Sequence, residues 1–170
     1  MAVLEIKKYP EKILTVKTAP VKEFDSELQR LIDDMIETMY ASSGVGLAAN
    51  QVGVSKQVIV IDVSRSEEKV PLIVLINPEI ISSEGECEIE EGCLSLPDYT
   101  TVLKRHEKVK VKGIDRNGNP VEIEGPRLLS RALQHEIDHL NGILLIERIG
   151  RIKKELFKKR FARERLLNKK

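Results

Sequence analysis

The stretch "QHEIDHLNG", residues 134–142, decides how the rest of this sequence is interpreted. It places His135 and His139 four residues apart, with Glu136 directly after the first histidine. Residues four apart lie on the same face of a helix, so both imidazoles can reach one divalent ion. Glu136 is turned about 100° away and is better placed to hold a proton beside the ion than to ligate it. Because the chain has only three histidines in 170 residues, the pairing favours a metal site over two solvent-facing side chains.

Two segments have the apolar spacing of helices. The histidine motif ends the segment "PRLLSRALQHEIDHLNG" (126–142), which starts with a proline suited to a first helical turn and stops at Asn-Gly. Upstream, "DSELQRLIDDMIETMYASSG" (25–44) carries an apolar stripe on one face, and Asp25 or Ser26 can cap its start. The sequence therefore predicts one helix near the N-terminus and one that carries the histidine motif.

Runs of β-branched residues between and around these helices predict strands. They are "QVIVIDV" (57–63), "PLIVLINP" (71–78), "HEKVKVKGID" (106–115), its hairpin partner "VEIEG" (121–125), and the short run "ILLIERI" (143–149). The glycine-rich "GVGLAANQVG" (44–53) has no sustained period and predicts a loop. This order predicts an α+β fold, with mixed or antiparallel strands around a central metal-binding helix. The length predicts a single catalytic domain over 1–170, in which 150–170 form a basic C-terminal helix.

A catalytic site of the zinc type needs three protein ligands and one open position. Zinc proteases place a third histidine downstream, but that position here is Leu145. Upstream, "EGCLSLP" (91–97) offers Cys93, whose thiolate would complete a Cys-His-His set suited to Zn²⁺ or Fe²⁺. Taken alone, a cysteine of this kind is more often a small buried residue. If "CEIEEGC" is extended, Cys87 lies roughly 20 Å from Cys93, too far for a disulfide.

Three segments together resemble the peptide deformylases. "GVGLAANQ" (44–51) resembles their glycine-rich first motif, "EGCLS" (91–95) their second, and "QHEIDHLNG" (134–142) their third. The motifs come in the family's order and at similar separations, so the resemblance covers nearly the whole chain. One position departs from the family pattern, because Asn50 stands where a proline is frequent. Losing the fixed φ of proline would loosen the loop slightly, while Gln51 is kept.

The resemblance implies a reaction, a metal and a set of site residues. The reaction is removal of the formyl group from the N-terminal formyl-methionine of newly made polypeptides, with release of formate. The metal is Fe²⁺ natively, with Zn²⁺ or Ni²⁺ able to occupy the site, whereas ligand type alone favours Zn²⁺. The resemblance implies that Cys93, His135 and His139 bind the metal, with a water molecule as the fourth ligand. It implies that Glu136 transfers a proton. It also implies that the Gln51 side chain and the Leu94 backbone N–H donate hydrogen bonds to the reacting oxygen.

Residues of the first and third motifs also suggest how a peptide would bind. Gly44 and Gly46 let the backbone approach closely and could pair with an extended peptide. Val45, Leu128 and Ala132 could form an apolar wall for a methionine side chain, although such residues are more often simple core. We therefore predict Val45, Gly46, Leu128 and Ala132 as substrate-binding residues.

Charged residues near the motifs suggest support for the metal ligands. Glu91 and Arg105 could pair behind the "EGCLS" segment, and Asp138 could act similarly on the helix. Plain surface charge explains each of them equally well. His106, among lysines, is expected to be exposed and without a role.

The C-terminal segment 150–170 is strongly basic, with ten Lys or Arg against two Glu in a chain of net charge +1. Apolar residues on one side of this segment, and one directly before it, are expected to dock on the domain, and they are Ile149, Ile152, Leu156, Phe157 and Phe161. Its basic side predicts a contact with the ribosome or ribosomal RNA, with a solvated helix face as the alternative. No apolar run approaches the roughly 18 residues of a membrane span, and the first residues lack a secretory signal, so we expect a cytoplasmic protein.

Two other functions fit parts of the same pattern. A zinc metallopeptidase would cleave internal peptide bonds and would be indifferent to Cys93→Ala. A basic RNA-binding protein could carry the metal as a structural element. Structural sites usually close with four protein ligands, and the sequence offers three beside a carboxylate, which favours catalysis.

Overall fold

The computed structural model describes residues 2–66 and 69–168. The helices and strands, in chain order, are α1 (Ser26–Ala41), β1 (Gly46–Ala48), β2 (Val58–Ile61), β3 (Ile73–Glu84), β4 (Cys87–Cys93), β5 (Leu96–Arg105), β6 (Lys108–Ile114), β7 (Pro120–Pro126), α2 (Arg127–Leu140) and α3 (Arg151–Asn168). Lys169 and Lys170, at the end of the predicted C-terminal helix, lie outside the described residues. Over the described part of the chain, no helix has both the length and the apolar character needed to cross a bilayer.

The strands form one five-stranded sheet and one separate hairpin. The sheet has the order β1-β2-β3-β6-β7, and the hairpin pairs β4 with β5. Every pair of neighbouring strands is antiparallel. The predicted α+β class with a C-terminal helix is therefore confirmed.

Strand β2 shows how the two main helices are held. Its sequence Val-Ile-Val-Ile is buried on both faces, because successive side chains of a strand point to opposite sides. Val58 and Val60 pack in the cluster that contains the apolar face of α1. Ile59 and Ile61 pack in the cluster that contains the apolar face of α2. The sheet is thus covered by α1 on one side and α2 on the other, and each fully buried aliphatic side chain contributes about 1.5–3 kcal/mol.

The ends of α1 and α2 follow local sequence signals. The Asp25 carboxylate caps α1 by accepting a hydrogen bond from the Leu28 N–H at 2.9 Å, as predicted. α2 begins directly after Pro126. Gly142 follows α2 with φ of 75°, and a Cβ there would lie 2.7 Å from the backbone of Thr15. Only glycine fits this left-handed, crowded position without strain.

Two local predictions are wrong. The segment 44–53 is not a loop throughout, because Gly46–Ala48 pairs with β2 and Ala49–Val52 forms a 3₁₀ helix. A glycine-rich strand only three residues long leaves no period to detect. The run 143–149 is not a strand either, since its centre forms a 3₁₀ helix over Leu145–Glu147. Its apolar residues are buried by packing rather than by pairing.

Helix α3 docks along a narrower line than its sequence predicts. Ile149 and Phe157 are buried, and Phe161 packs partly against the same cluster. Ile152 and Leu156, however, are 78% and 61% exposed, so the prediction that they dock is wrong. At about 100° per residue, Ile152 lies about 140° and Leu156 about 100° around the helix from Phe157, so neither shares the face that docks.

The contact beneath α3 is aromatic. The ring of Phe157 lies edge-on to Tyr9, with centroids 5.4 Å apart, and edge-on to Tyr99 at 4.6 Å. Such pairs are worth about 0.5–1.5 kcal/mol beyond their burial. They attach α3 to the N-terminal segment and to the β4–β5 hairpin.

The C-terminal end of α2 is fixed by donors from outside the helix. The last carbonyls of a helix have no partner within it. The Asn50 side-chain amide donates to the His139 carbonyl at 2.5 Å. The Leu140 carbonyl accepts from the backbone N–H and the hydroxyl of Thr18, both at 2.8 Å. Asn50 therefore joins the glycine-rich segment to the end of the helix that carries His139, which a proline could not do.

We predict that Asn50→Asp lowers the free energy of unfolding by about 3 kcal/mol, more than Asn50→Ala at about 1–2 kcal/mol. Asn50 is fully buried, and the substitution points a carboxylate oxygen at the carbonyl that the amide now satisfies. Urea unfolding of the metal-free protein at pH 8 measures the difference. Asn117→Asp, at an exposed position, is the control and should change stability by less than about 0.5 kcal/mol. Equal effects for Asn50→Asp and Asn50→Ala would contradict this role.

Candidate metal centre and active site

Three potential ligand atoms converge in front of α2. The Cys93 Sγ lies 3.2 Å from the His139 Nε2, which lies 3.2 Å from the His135 Nε2. All three atoms are within 4.8 Å of one another. Ligands of one tetrahedral ion lie roughly 3.3–3.6 Å apart when metal–nitrogen and metal–sulfur bonds have their usual lengths. The three residues therefore fit a divalent metal, and among the described residues they form a cluster of three, not four.

The two structural elements that meet here explain the convergence. α2 places His135 and His139 on one face because they are four residues apart. Cys93 ends β4, where the pairing with β5 is irregular between Gly92 and Cys93. That irregularity turns the cysteine toward α2 just before the tight turn that contains Leu94.

Glu136 lies buried beside the ligands. Its carboxylate is 4% exposed, and its Oε1 has no hydrogen-bond partner among residues 2–66 and 69–168. Burial raises the pKa of Glu136 to about 7. A buried, unpartnered carboxylate is costly unless a proton, water or ligand satisfies it. Gly46 makes room for this carboxylate, because a Cβ at position 46 would lie 2.6 Å from the Glu136 Oε2.

Glu91 fixes the orientation of the His135 ring. Its Oε1 lies 3.0 Å from the His135 Nδ1, and its carboxylate accepts two hydrogen bonds from Arg105 at 2.9 and 3.1 Å. Burial alone would raise the pKa of Glu91, but the hydrogen bonds from His135 and Arg105 lower it to about 2. An ionised carboxylate only accepts, so the His135 Nδ1 carries a hydrogen and the Nε2 keeps its lone pair for a metal. The predicted Glu91–Arg105 pair is confirmed.

The two histidines have opposite pKa shifts. Burial lowers the pKa of His135, but the charge of Glu136 and the hydrogen bonds to Cys93 and Glu91 raise it well above its ordinary value. Burial and the nearby His135 charge lower the pKa of His139. A metal binds imidazole only in its neutral form, so it would take the place of the proton on the His135 Nε2.

Gln51 is held so that its amide NH₂ faces the site. Its Oε1 accepts from the Ala48 N–H at 3.0 Å. Its Nε2 donates to the Ser95 hydroxyl at 3.1 Å and lies 3.8 Å from the Cys93 Sγ. With the carbonyl end of the amide occupied by Ala48, the donor end is the one available near the ligands. Sequence reasoning missed Ser95, although it belongs to the quoted "EGCLS" segment.

A cavity of about 570 Å³ opens in front of these residues. Its lining includes Gln51, Cys93, Leu94, His135 and Glu136, together with all four residues predicted to bind substrate, Val45, Gly46, Leu128 and Ala132. His139 is buried behind the lining rather than part of it.

Other lining residues were missed by sequence reasoning, and they include Ile89, Tyr99 and Arg131. The helical spacing of Leu128, Arg131 and His135 could have identified Arg131. Nothing in the sequence alone brings Ile89 and Tyr99 of the hairpin to this face.

A larger groove, of about 1000 Å³, lies between the N-terminal residues 5–12 and α3. It adjoins the first cavity at Leu96–Tyr99. In the described part of the chain, the cluster suited to a metal lies at the smaller cavity. The chemistry is therefore assigned to the smaller cavity.

Comparison with known proteins agrees with this geometry. The family model described as Polypeptide deformylase matches residues 3–155. A peptide deformylase of Thermodesulfovibrio yellowstonii is 62% identical over 161 residues, covering 95% of this chain and 98% of that protein. One of Syntrophobacter fumaroxidans is 51% identical over 164 residues, covering 96% of each. The crystal structure of a peptide deformylase from Legionella pneumophila superposes with a TM-score of 0.90 at 45% identity, covering 99% of both chains.

These matches confirm the resemblance that the three sequence motifs predict. They favour it over the metallopeptidase and the non-enzymatic alternatives, because the relatives are enzymes of one kind and align over nearly their whole length. The chain belongs to the polypeptide deformylase family, a family of hydrolytic enzymes that process the N-termini of new proteins.

Proposed function

We propose that this protein removes the formyl group from the N-terminal formyl-methionine of newly made polypeptides and releases formate. The observation that carries the proposal is the convergence of Cys93, His135 and His139 beside the buried Glu136 carboxylate, whose Oε1 has no hydrogen-bond partner in the described part of the chain. A proton carrier next to three ligands and an open cavity is the arrangement that metal-assisted hydrolysis requires. Family membership points to the formyl group as the one that is removed.

Cys93, His135 and His139 would hold the metal, which we propose to be Fe²⁺ natively, with Zn²⁺ or Ni²⁺ able to replace it. A thiolate with two imidazoles suits these ions better than Mg²⁺ or Ca²⁺. When bound, the metal would supply Lewis-acid chemistry that brings the pKa of water down toward about 7. Glu91 would keep the His135 Nε2 directed at it.

Glu136 would move the proton. Its free Oε1 would take a proton from the attacking water, whose oxygen adds to the formyl carbon. As the carbon–nitrogen bond breaks, the same carboxyl would give the proton to the departing amine, so that formate and a free N-terminus result. The buried position of Glu136 keeps other waters from exchanging that proton.

Gln51 and the backbone N–H of Leu94 would stabilise the reacting oxygen. Donors of this kind are each worth about 3 kcal/mol to the transition state. The bond from Ala48 to the Gln51 carbonyl supports this role, because it keeps the amide from rotating its acceptor toward a developing negative charge. Leu94 directly follows Cys93, so its backbone lies at the same edge of the cavity.

The cavity wall would bind the peptide. Val45 and Gly46 would pair through their backbones with an extended substrate, since β1 is the outermost strand of the sheet and Val45 directly precedes it. Leu128 and Ala132, on the same face of α2 as His135, would contact the methionine side chain. All four line the 570 Å³ cavity.

We further propose that residues 1–170 act as one cytoplasmic catalytic domain and that α3 contacts the ribosome. The basic residues Lys158, Lys159, Arg160 and Arg163 are exposed, and ribosomal RNA is a polyanion to which such a face is attracted. A contact there would bring the enzyme to its nascent substrates.

We predict that the protein releases formate from formyl-Met-Ala-Ser and leaves acetyl-Met-Ala-Ser intact. The protein is purified without oxygen, and its bound metal is measured before the assay. Glu136→Ala should keep the metal and lose about 10²–10⁴-fold in turnover, because the proton carrier is gone. His106→Ala, at an exposed histidine outside the site, should behave as the unmodified protein. Cleavage of the acetyl peptide, or full activity of Glu136→Ala, would contradict the mechanism.

We predict that changing Lys158, Lys159, Arg160 and Arg163 to Gln reduces co-sedimentation with ribosomes at low salt, since phosphate contacts depend on these charges. The matched control for total charge changes four lysines of the sheet and hairpin to Gln and should have a smaller effect on co-sedimentation. These lysines are Lys104, Lys108, Lys110 and Lys112. Unchanged co-sedimentation of the α3 variant would rule the contact out.

A further inference from the structure

Arg148 occupies the junction between the 3₁₀ helix Leu145–Glu147 and α3. Its guanidinium donates two hydrogen bonds to the Asp138 carboxylate, from Nη2 at 2.6 Å and from Nε at 3.1 Å. A bidentate pair of this kind fixes the orientation of both groups. Arg148 lines a small cavity of about 250 Å³ and is not among the residues that line the 570 Å³ cavity proposed to bind the peptide.

Asp138 connects Arg148 to residues that contact the proposed metal ligands. It also accepts a hydrogen bond from the Arg105 Nη1 at 2.6 Å. Arg105 in turn holds Glu91 through its other nitrogens, and Glu91 holds the His135 Nδ1. We call this set the ion-pair chain, and its members are Arg148, Asp138, Arg105, Glu91 and His135.

The ion-pair chain is balanced only when Arg148 is in place. Arg105, Glu91 and Asp138 have side chains that are 4%, 10% and 11% exposed, so water screens their charges poorly. Two carboxylates then face two guanidiniums. Without Arg148, Asp138 and Glu91 would compete for Arg105 alone, and a buried charge that loses its partner is strongly unfavourable. Arg105 would move toward Asp138 and loosen the fork that orients Glu91.

We propose that Arg148 is a positioning residue for the proposed metal ligand His135, acting through the ion-pair chain. The inference rests on the proposed metal site. It extends that site to a residue outside the three sequence motifs, on the segment that leads into α3. The Arg148 side chain is 46% exposed. The competing possibility is therefore that Arg148 and Asp138 form an ordinary surface ion pair, which contributes little to stability and does not affect His135.

The test compares Arg148→Ala and Arg148→Lys in the full-length protein loaded with Co²⁺. Lys154→Ala is the matched control, because Lys154 pairs with Glu147 at 2.7 Å in the same junction but lies outside the ion-pair chain. The cobalt absorption bands report the ligand geometry, and the rate of cobalt loss to excess EDTA reports retention. Thermal unfolding of the metal-free proteins separates these effects from general destabilisation.

We expect the Arg148→Ala variant to lose cobalt about tenfold faster than the unmodified protein and to show shifted absorption bands. Loss of a residue that supports a metal ligand usually weakens metal binding by a factor of this order. Arg148→Lys should lie between, and Lys154→Ala should match the unmodified protein. Turnover of Arg148→Ala should fall with KM unchanged, because the residue does not line the substrate cavity. Cobalt loss at the unmodified rate would overturn the proposal.

A double variant tests whether the effect travels through Glu91. In a Glu91→Gln background, adding Arg148→Ala should change the rate of cobalt loss by less than about twofold, because the path is already broken. Effects that multiply would overturn the proposal. Absence of deformylation by every variant, including the unmodified protein, would overturn the proposed function alone, since cobalt retention is measured without substrate.

Discussion

A sulfur atom and two imidazole nitrogens lie within 4.8 Å of one another in front of α2, and the proposed metal site depends on that convergence. The two nitrogens come from one helix at a spacing of four residues, so forming α2 is enough to align them. The sulfur comes from a hairpin that is separate from the main sheet, so tertiary packing must hold Cys93 against α2. At this distance a shared hydrogen or a bound cation can hold such groups together. The convergence is therefore suited to a metal, which would take the place of the shared hydrogen.

The fold meets this constraint by joining the hairpin, the glycine-rich segment and α2 at several points. The N-terminal segment donates backbone hydrogen bonds from Tyr9 to the Ser95 carbonyl at 2.9 Å and from Lys7 to the Gln51 carbonyl at 2.6 Å. It thereby holds the first and second motifs side by side. Ion pairs add a further connection, because Arg105 links the hairpin to α2 through Glu91 and Asp138. The same contacts that stabilise the fold therefore align the groups proposed to be catalytic.

The sequence predicts those features that depend on local periodicity. The stripe of α1, the spacing of His135 and His139 and the β6–β7 hairpin all follow from residue order within one stretch of sequence. Features that depend on distant pairing are not visible there. Strand β1 exists because β2 lies beside it, and Asn50 has its role because the end of α2 happens to reach its side chain. Helix α3 is a different case, because at about 100° per residue Ile152 lies about 180° around the helix from Phe161, and strict helical spacing already turns it away from the contact.

The most direct measurement is X-ray absorption spectroscopy of the protein loaded with Zn²⁺. The account predicts one sulfur neighbour at about 2.3 Å and two imidazole nitrogens at about 2.0–2.1 Å, with one lighter ligand from solvent. The sulfur signal should vanish in Cys93→Ala and persist in Cys87→Ala. A metal without a sulfur neighbour, or one closed by a fourth side chain, would contradict the proposed site and the hydrolysis built on it.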